Sequence, residues 1–443
     1  MGLTPTRSMP VHADSRYQGS VANKANKALD PRPKARHPWS PRANFGKHQF
    51  MTPLNYDDLR KLAKRRLPKI AFDFIEGGLD DEIGLERNRQ GMERHRIVPR
   101  YMVDVSKRTQ TTELFGRTYS QPVGIAPTGG AALFRPGADL MLAAAARKAN
   151  VPFIMSGAST DTIENLARVA PEHGWYQMYS AKDKSISLDM IRRSKDAGLS
   201  TLVITVDVPI HSNRERNKRN GMSRPLRMPL KTKMEALMHP GWMIDYYKHG
   251  GGTPMLSNWA PYAGPGAEKD PERVATFQST QTTPPLDWTD IEKFRAAWPR
   301  KLVIKGIMHP GDAERAHKIG VDGLMVSNHG GRQLDRAPSP IEVLPAIRDA
   351  VGDKMTLMFD SGIRRGSDVV TAMCLGAKYC FVGRMTLYGV AAGGEAMAGT
   401  ALGILKNEVD LVMGNMGAPD ITSLGPDFLM WDDQADLRRN TRP

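Results

Sequence analysis

The stretch Ser327-Asn328-His329-Gly330-Gly331-Arg332-Gln333-Leu334-Asp335 follows the apolar run Gly323-Leu324-Met325-Val326 and sets a histidine and an arginine three residues apart. A histidine takes up a proton near neutral pH, and an arginine holds a carboxylate through two parallel hydrogen bonds. Together they suit removal of a proton or hydride next to a carboxylate. The paired glycines let backbone approach a ligand closely. Taken alone, the same stretch also reads as a polar turn capping a core strand.

A second stretch, Asp360-Ser361-Gly362-Ile363-Arg364-Arg365-Gly366, leads into a helical pattern, and Gly383-Arg384 follows the next apolar run. Arginines there supply charge and glycines supply access, the usual means of holding a phosphate at a helix N-terminus. This indicates a phosphorylated cofactor or substrate without saying which.

What must position these residues is a repeating alternation that begins at Pro122. Eight strand-like runs are expected at Pro122–Ala126, Phe153–Ser156, Trp175–Tyr179, Thr201–Val206, Leu302–Ile307, Gly323–Val326, Thr356–Phe359 and Tyr379–Val382. Helical patterns separate most of them, as at Ala138–Ala149, Ser187–Ala197, Asp312–Ile319 and Ser367–Leu375. Eight strands with helical crossovers, and no G-x-G-x-x-G opening a helix after the first, favour an α/β fold of the (β/α)8 TIM-barrel type over a doubly wound sheet. In a barrel the C-terminal ends of all strands open on one face, where Pro127-Thr128-Gly129, Ser156, Gln177 with Tyr179, Thr205 with Asp207, Lys305, His329, Asp360 and Gly383-Arg384 would meet. Any one of these is explicable as a satisfied polar residue, but eight strand ends converging is the mark of a site.

Around that core the sequence divides into residues 1–52, a basic arm expected to be disordered; 53–430, the barrel domain; and 431–443, a tail. A helical cap is expected from Tyr56 through Leu59, Leu62 and Ala63, and after Pro68 through Ile70, Phe72, Phe74 and Ile75 to Gly77-Gly78. The net charge of +15 is concentrated: residues 1–52 carry nine Lys/Arg against two Asp, and 216–248 carry eight Lys/Arg against Glu235 and Asp245. With no zinc-ligand spacing and no aromatic ribonucleoprotein motif, nucleic acid is not expected as a partner, and no metal site is expected either. The two cysteines, Cys374 and Cys380, exclude a disulfide framework and read as buried inert thiols. There is no run of 18 apolar residues and no secretory core, so a cytoplasmic location is expected; the acid-poor N-terminus would also suit a transit peptide, although its prolines oppose one long amphipathic helix.

The motifs taken together resemble the FMN-dependent α-hydroxy-acid oxidising enzymes (glycolate oxidase, lactate dehydrogenase, mandelate dehydrogenase) from about Leu54 through Leu429. They are Leu67-Pro68-Lys69 with Gly77-Gly78, Ala126-Pro127-Thr128-Gly129, Gln177-Met178-Tyr179, Thr205-Val206-Asp207, Val303-Ile304-Lys305-Gly306, Ser327–Asp335, Asp360–Gly366 and Gly383-Arg384. Thr386-Leu387-Tyr388-Gly389 and Pro419–Leu424 look most like the mandelate dehydrogenase branch. The resemblance implies FMN as cofactor and a small 2-hydroxy acid as substrate, oxidised to the 2-oxo acid. It implies His329 as base oriented by Asp207, Arg332 and Arg214 on the substrate carboxylate, Tyr179 near the substrate hydroxyl, and Lys305 beside the flavin N1/O2 edge. Pro127, Thr128, Gly129, Ser156, Gln177, Thr205 and Ser327 would line the isoalloxazine, and Asp360, Gly362, Arg364, Gly383 and Arg384 the ribityl phosphate. A homo-oligomer, a tetramer, is implied as well.

Two departures from the family pattern concern the substrate. Phe74 stands where a tyrosine usually helps to hold the carboxylate, and Ala158 stands where glycolate oxidase has a tryptophan, leaving room for a larger side chain. A long insertion, about 217–285, follows the fourth strand; Met234, Leu237, Met238, Trp242, Met243, Ile244, Tyr246 and Tyr247 among its basic residues suit either the inner face of an anionic membrane or a lid or subunit contact. Three functions follow: a dehydrogenase passing electrons to quinone or another carrier, an oxidase forming hydrogen peroxide, or an FMN barrel of another reaction class, such as an isomerase or a scaffold without turnover.

Overall fold

The computed structural model describes residues 52–431 apart from 224–227, 252 and 283–285. Residues 1–51 of the expected N-terminal arm and 432–443 of the expected tail lie outside the described residues, while Trp431 pairs with His95 in a short antiparallel strand. Eight parallel strands close a barrel in chain order: Val123–Ile125, Phe153–Met155, Gly174–Met178, Thr201–Thr205, Lys301–Ile307, Gly323–Val326, Thr356–Phe359 and Tyr379–Val382, the last pairing with the first. Strand positions agree with the alternation to within a residue or two. The helices Ala138–Ala149, Lys184–Asp196, Pro310–Lys318 and Gly366–Cys374 fall where the apolar spacing put them.

Alternation along the strands divides the side chains between two cores. Ala126, Ile154, Trp175, Val203, Val303, Met325, Met358 and Phe381 point inward and pack with one another in the barrel interior. Two residues after each, on the same face by the period of a strand, come Thr128, Ser156, Gln177, Thr205, Lys305, Ser327, Asp360 and Gly383. The expected rim is thus the next inward layer above the apolar one.

The other end of the barrel is plugged by a hairpin that sequence reasoning missed. Thr112–Leu114 pairs antiparallel with Arg117–Tyr119, and Leu114, Phe115 and Tyr119 pack into the interior cluster. Its two turn residues, Phe115 and Gly116, both have positive φ (56° and 82°), the backbone of a tight primed turn. Phe is an unusual choice for the first position, so no Asn-Gly signal announced it. With this end closed by buried aromatics, the site must open at the other.

The cap forms as helices α1 (Tyr56–Arg66) and α2 (Lys69–Glu76). Asn55 accepts a hydrogen bond from the Asp58 N–H and starts α1; Pro68 stops it and leaves α2 to begin at Lys69. Helix α3 (Ile83–Glu93) follows. Glu76 is held by Arg60 Nε and Nη2 (2.9 and 2.7 Å) and by the Tyr388 hydroxyl, which ties the end of α2 to the helix after the eighth strand. Both cysteines are buried, and burial pushes the Cys374 thiol up to about 12, consistent with inert packing.

The segment between the fourth and fifth strands carries helices Glu215–Arg219, Leu230–Ala236, Pro240–Lys248, Pro271–Gln281 and Trp288–Ala297. Two of its aromatic residues, expected at an interface, are instead core. Trp242 is 2% exposed and donates its indole N–H to the Leu133 carbonyl (2.7 Å), and Tyr246 stacks on it with centroids 4.6 Å apart. The spacing explains the correction: residues 242 and 246 share the buried face of one helix, while Ile244 and Tyr247 occupy the other. Met243 is half-buried. Met234, Leu237, Met238, Ile244 and Tyr247 are exposed as expected, joined by Leu230.

Candidate active site

One cavity of about 660 Å³ opens at the C-terminal end of the barrel. Pro127, Thr128, Gly129, Tyr179, Thr205, Lys305, His329, Asp360, Gly362, Arg364, Gly383 and Arg384 line it, with Phe74 from α2, Arg214 from the insertion side and Arg332. Ser156, Gln177, Ser327 and Asp207 stand behind this lining and are reached through hydrogen bonds. All of the expected site residues are therefore brought to one end of the barrel.

The centre is a histidine–carboxylate pair. His329 Nδ1 lies 2.9 Å from Asp207 Oδ1. His329 has φ of +58°, followed by Gly330 at +68° and Gly331 at +73°. A left-handed non-glycine residue costs about 1–2 kcal/mol, a strain tolerated where surrounding contacts fix a functional side chain. Those contacts are present: the His329 N–H donates to Ser327 Oγ (3.0 Å), and the Gly330 N–H donates to Ser361 Oγ (2.9 Å). Enclosure lowers the His329 protonation point below the ordinary imidazole value against the opposing pull of Asp207, and Lys305 and Arg214 add to the lowering. The ring is thus neutral at neutral pH and can accept a proton. For Asp207, burial acts to raise the carboxyl, but His329 and Lys305 outweigh it and hold it ionised.

Lys305 sits deeper, with Nζ 3.0 Å from Asp360 Oδ2 and 2.5 Å from Ser327 Oγ. Burial would discharge it, yet Asp360 and Asp207 raise its pKa, so it stays a cation. Arg332 and Arg384 both donate to backbone carbonyls at the end of α2: Arg332 to Gly77 (2.6 Å), Arg384 to Ile75 (3.0 Å) and Gly77 (3.2 Å). Arg214 donates to Gln333 Oε1 (2.9 Å). Removal from water, then Arg214 and Arg384, push the Arg332 guanidinium well below its ordinary value, the signature of a site short of negative charge. An anionic ligand would supply what is missing.

The donor set fits FMN. Gln177 spends its Oε1 on Ser156 Oγ and the Gly157 N–H, while its buried Nε2 and the Thr205 Oγ1 have no partner among the described residues. Orphaned donors in this layer are otherwise costly, about 1–3 kcal/mol each, and the polar edge of a flavin would answer them. Gly129 has no room for a side chain, since a Cβ there would lie 2.9 Å from the Ala158 Cβ. At the other end Arg364 lies over the Tyr56 ring (4.8 Å), and Arg384 with Gly383 faces the same cavity, a cationic end suited to phosphate.

Several contributors were not foreseen. Asn88 of α3 exchanges hydrogen bonds with Asn328 (3.0 and 2.7 Å), and Ser361 joins the loops after the sixth and seventh strands; these contacts span distant segments and leave no local signal. Gln333 lies inside the motif, but its role depends on Arg214, 119 residues away.

Comparison with known proteins identifies the family. The chain is 40% identical to (S)-mandelate dehydrogenase of Pseudomonas putida over 375 residues, 85% of this chain and 93% of that one. It is 37% identical to a putative L-lactate dehydrogenase of Mycobacterium tuberculosis over 387 residues, 87% of this chain and 91% of the other. Among solved structures, the monotopic membrane protein (S)-mandelate dehydrogenase superposes with a TM-score of 0.82 at 39% identity, covering 86% of this chain and all of that one. The profile of the FMN-dependent dehydrogenases matches residues 63–431, and the chain belongs to that family.

Proposed function

We propose that the protein oxidises an L-2-hydroxy acid with a bulky apolar side chain to the 2-oxo acid and passes the electrons to a membrane-held acceptor. The observation that carries this is the His329–Asp207 pair, 2.9 Å apart, opening on the same cavity as Arg332. Arg332 and Arg214 hold the substrate carboxylate, and Tyr179 lies against the hydroxyl. His329 takes the proton released on oxidation, and Asp207 stabilises the imidazolium so formed. FMN would supply the two-electron acceptor; Lys305 would offer it a positive charge, and Arg364, Gly362, Asp360, Gly383 and Arg384 would hold its ribityl phosphate end. Ala158, with Phe74, Leu133, Met222 and Leu256, gives the cavity an apolar flank for the side chain. The mandelate and lactate dehydrogenase relatives support a 2-hydroxy acid as substrate, and of the two only mandelate carries a bulky side chain.

No helix among the described residues is long and apolar enough to cross a membrane. The insertion supports a peripheral contact instead: Leu230, Met234, Leu237, Met238, Ile244 and Tyr247 are exposed beside the exposed Lys231, Lys233 and Lys248. Part of its charge is already used, since Arg216 pairs with Glu82 and Arg219 with Glu215. A homo-oligomer is proposed on the family resemblance.

Anaerobic mixing of the FMN-loaded protein with glycolate, lactate, mandelate and longer 2-hydroxy acids tests the reading. Bleaching of the flavin, fastest with the bulkier acids, is expected; no bleaching with any 2-hydroxy acid would remove the proposal. Stoichiometric hydrogen peroxide on admitting air would make the protein an oxidase, as the name of a mandelate oxidase neighbour suggests.

A further inference from the structure

We infer that Gly306 is a positioning residue for the Asp207–His329 pair, occupying a strand bulge that opens the room in which the Asp207 carboxylate lies. This rests on the reading of His329 as the base.

The fifth strand pairs with the sixth through Lys305 opposite Met325 and Ile307 opposite Val326, which leaves Gly306 as an extra residue without a partner. Its φ is +106°, outside the range that side chains with a Cβ adopt readily. The space beside it is filled by Asp207, from the loop that follows the neighbouring fourth strand. A Cβ on Gly306 would lie 2.6 Å from Asp207 Cβ, 2.7 Å from Cγ and 2.9 Å from Oδ2. Cβ and Cγ sit at the root of the side chain, so no rotation of a flexible tip relieves the overlap.

The bulge has two consequences for the chemistry. Lys305 keeps its inward place in the barrel layer, with its carbonyl accepting the Val206 N–H (3.0 Å), so the strand before the bulge is undisturbed. Past it, the chain gives up one side chain's volume just where Asp207 must turn towards His329 from the loop after Thr205. Oδ1 reaches the imidazole, while Oδ2 is buried with no hydrogen-bond partner among the described residues. That second oxygen is therefore held by shape, and Gly306 is a large part of the shape. A side chain at 306 would move the carboxylate and uncouple it from His329 without touching substrate or cofactor.

The test compares G306A, D207N, H329A, D207G and D207G/G306A as FMN-loaded proteins. The His329 imidazole is followed by NMR, assigned by its loss in H329A, alongside FMN content, melting temperature and anaerobic flavin reduction. G306A is expected to retain FMN, to move the His329 titration to lower pH as D207N does, and to slow reduction by ~10–100-fold, the cost of misplacing a catalytic group by about an ångström. G306A is also expected to lower the melting temperature less in the D207G background than in the natural chain. If G306A fails to fold while D207G/G306A folds, the overlap with Asp207 is upheld. An unchanged His329 titration in a folded G306A, or equal destabilisation in both backgrounds, would overturn the proposal. Should H329A keep its reduction rate, the assignment of the base fails, and the titration and melting comparison still read the Gly306–Asp207 contact.

Discussion

The Arg332 guanidinium carbon lies 5.3 Å from the centroid of the Phe74 ring. A phenylalanine here gives up a hydroxyl that would reach a carboxylate, but its face steadies the arginine that binds one. Such a contact contributes about 0.5–2 kcal/mol when partly desolvated. Phe74 also packs on Phe134 with centroids 6.0 Å apart, so its ring is fixed in place. Phe74→Tyr is expected to tighten binding of small 2-hydroxy acids by up to ~10-fold through one added hydrogen bond. Equilibrium binding of lactate to the reduced or substituted enzyme reads this, and unchanged or weaker binding would mean that the apolar ring serves a bulkier substrate.

His329→Ala should keep FMN, because the ring's hydrogen bonds run to Asp207 and not to the phosphate end. Flavin reduction by the best acid should fall by at least ~100-fold. Normal reduction kinetics in that variant would remove His329 from the mechanism.

The pH dependence follows from the same pair. A base must be neutral to act, so the rate rises with pH through the His329 protonation point, which enclosure sets below the ordinary 6.5. Asp207 is the group that pulls this point upward. In Asp207→Asn that support is lost, and the acid limb of kcat/KM should move to still lower pH while the plateau falls. A limb that moves upward would contradict the assignment.

Ala158→Leu is expected to fill the apolar flank. Ala158 is 8% exposed at the cavity, with Gly129 packed against it. Reduction by mandelate-sized acids should drop by at least ~10–200-fold, the discrimination a single methylene provides in an apolar pocket, while lactate is little affected. Equal losses for large and small acids would mean that residue 158 acts on the flavin and not on substrate size.

How far the molecule could be read from its sequence depended on whether the cause was local. Barrel strands and rim residues such as Gln177, Thr205 and Lys305 follow from a period of two, which each strand carries in itself. The Phe115-Gly116 turn lacked the usual residues for its backbone, and the Asn88–Asn328 exchange joins segments 240 residues apart, so neither left a signature. Trp242 and Tyr246 have an interfacial composition but lie on the buried face of their helix, which composition alone does not reveal. Their spacing of four residues separates them from the exposed Ile244 and Tyr247.

That separation decides how membrane contact is tested. Removing 222–257 whole would also strip Met222 and Leu256 from the cavity and the Trp242 N–H from the Leu133 carbonyl, so loss of binding and loss of fold would be confounded. Met238 and Tyr247 are 77% and 63% exposed, and Lys231, Lys233 and Lys248 are exposed beside them. M238S/Y247S should therefore retain FMN and flavin bleaching while losing sedimentation with anionic vesicles at every salt concentration. Substituting Lys231, Lys233 and Lys248 with glutamine should weaken binding by about 1 kcal/mol per residue at low salt and by less as salt rises. Vesicle binding equal to that of the natural chain in both variants would exclude this surface. Dissociation of an oligomer by M238S/Y247S, with no vesicle binding by the natural chain, would make the same apolar face a contact between subunits.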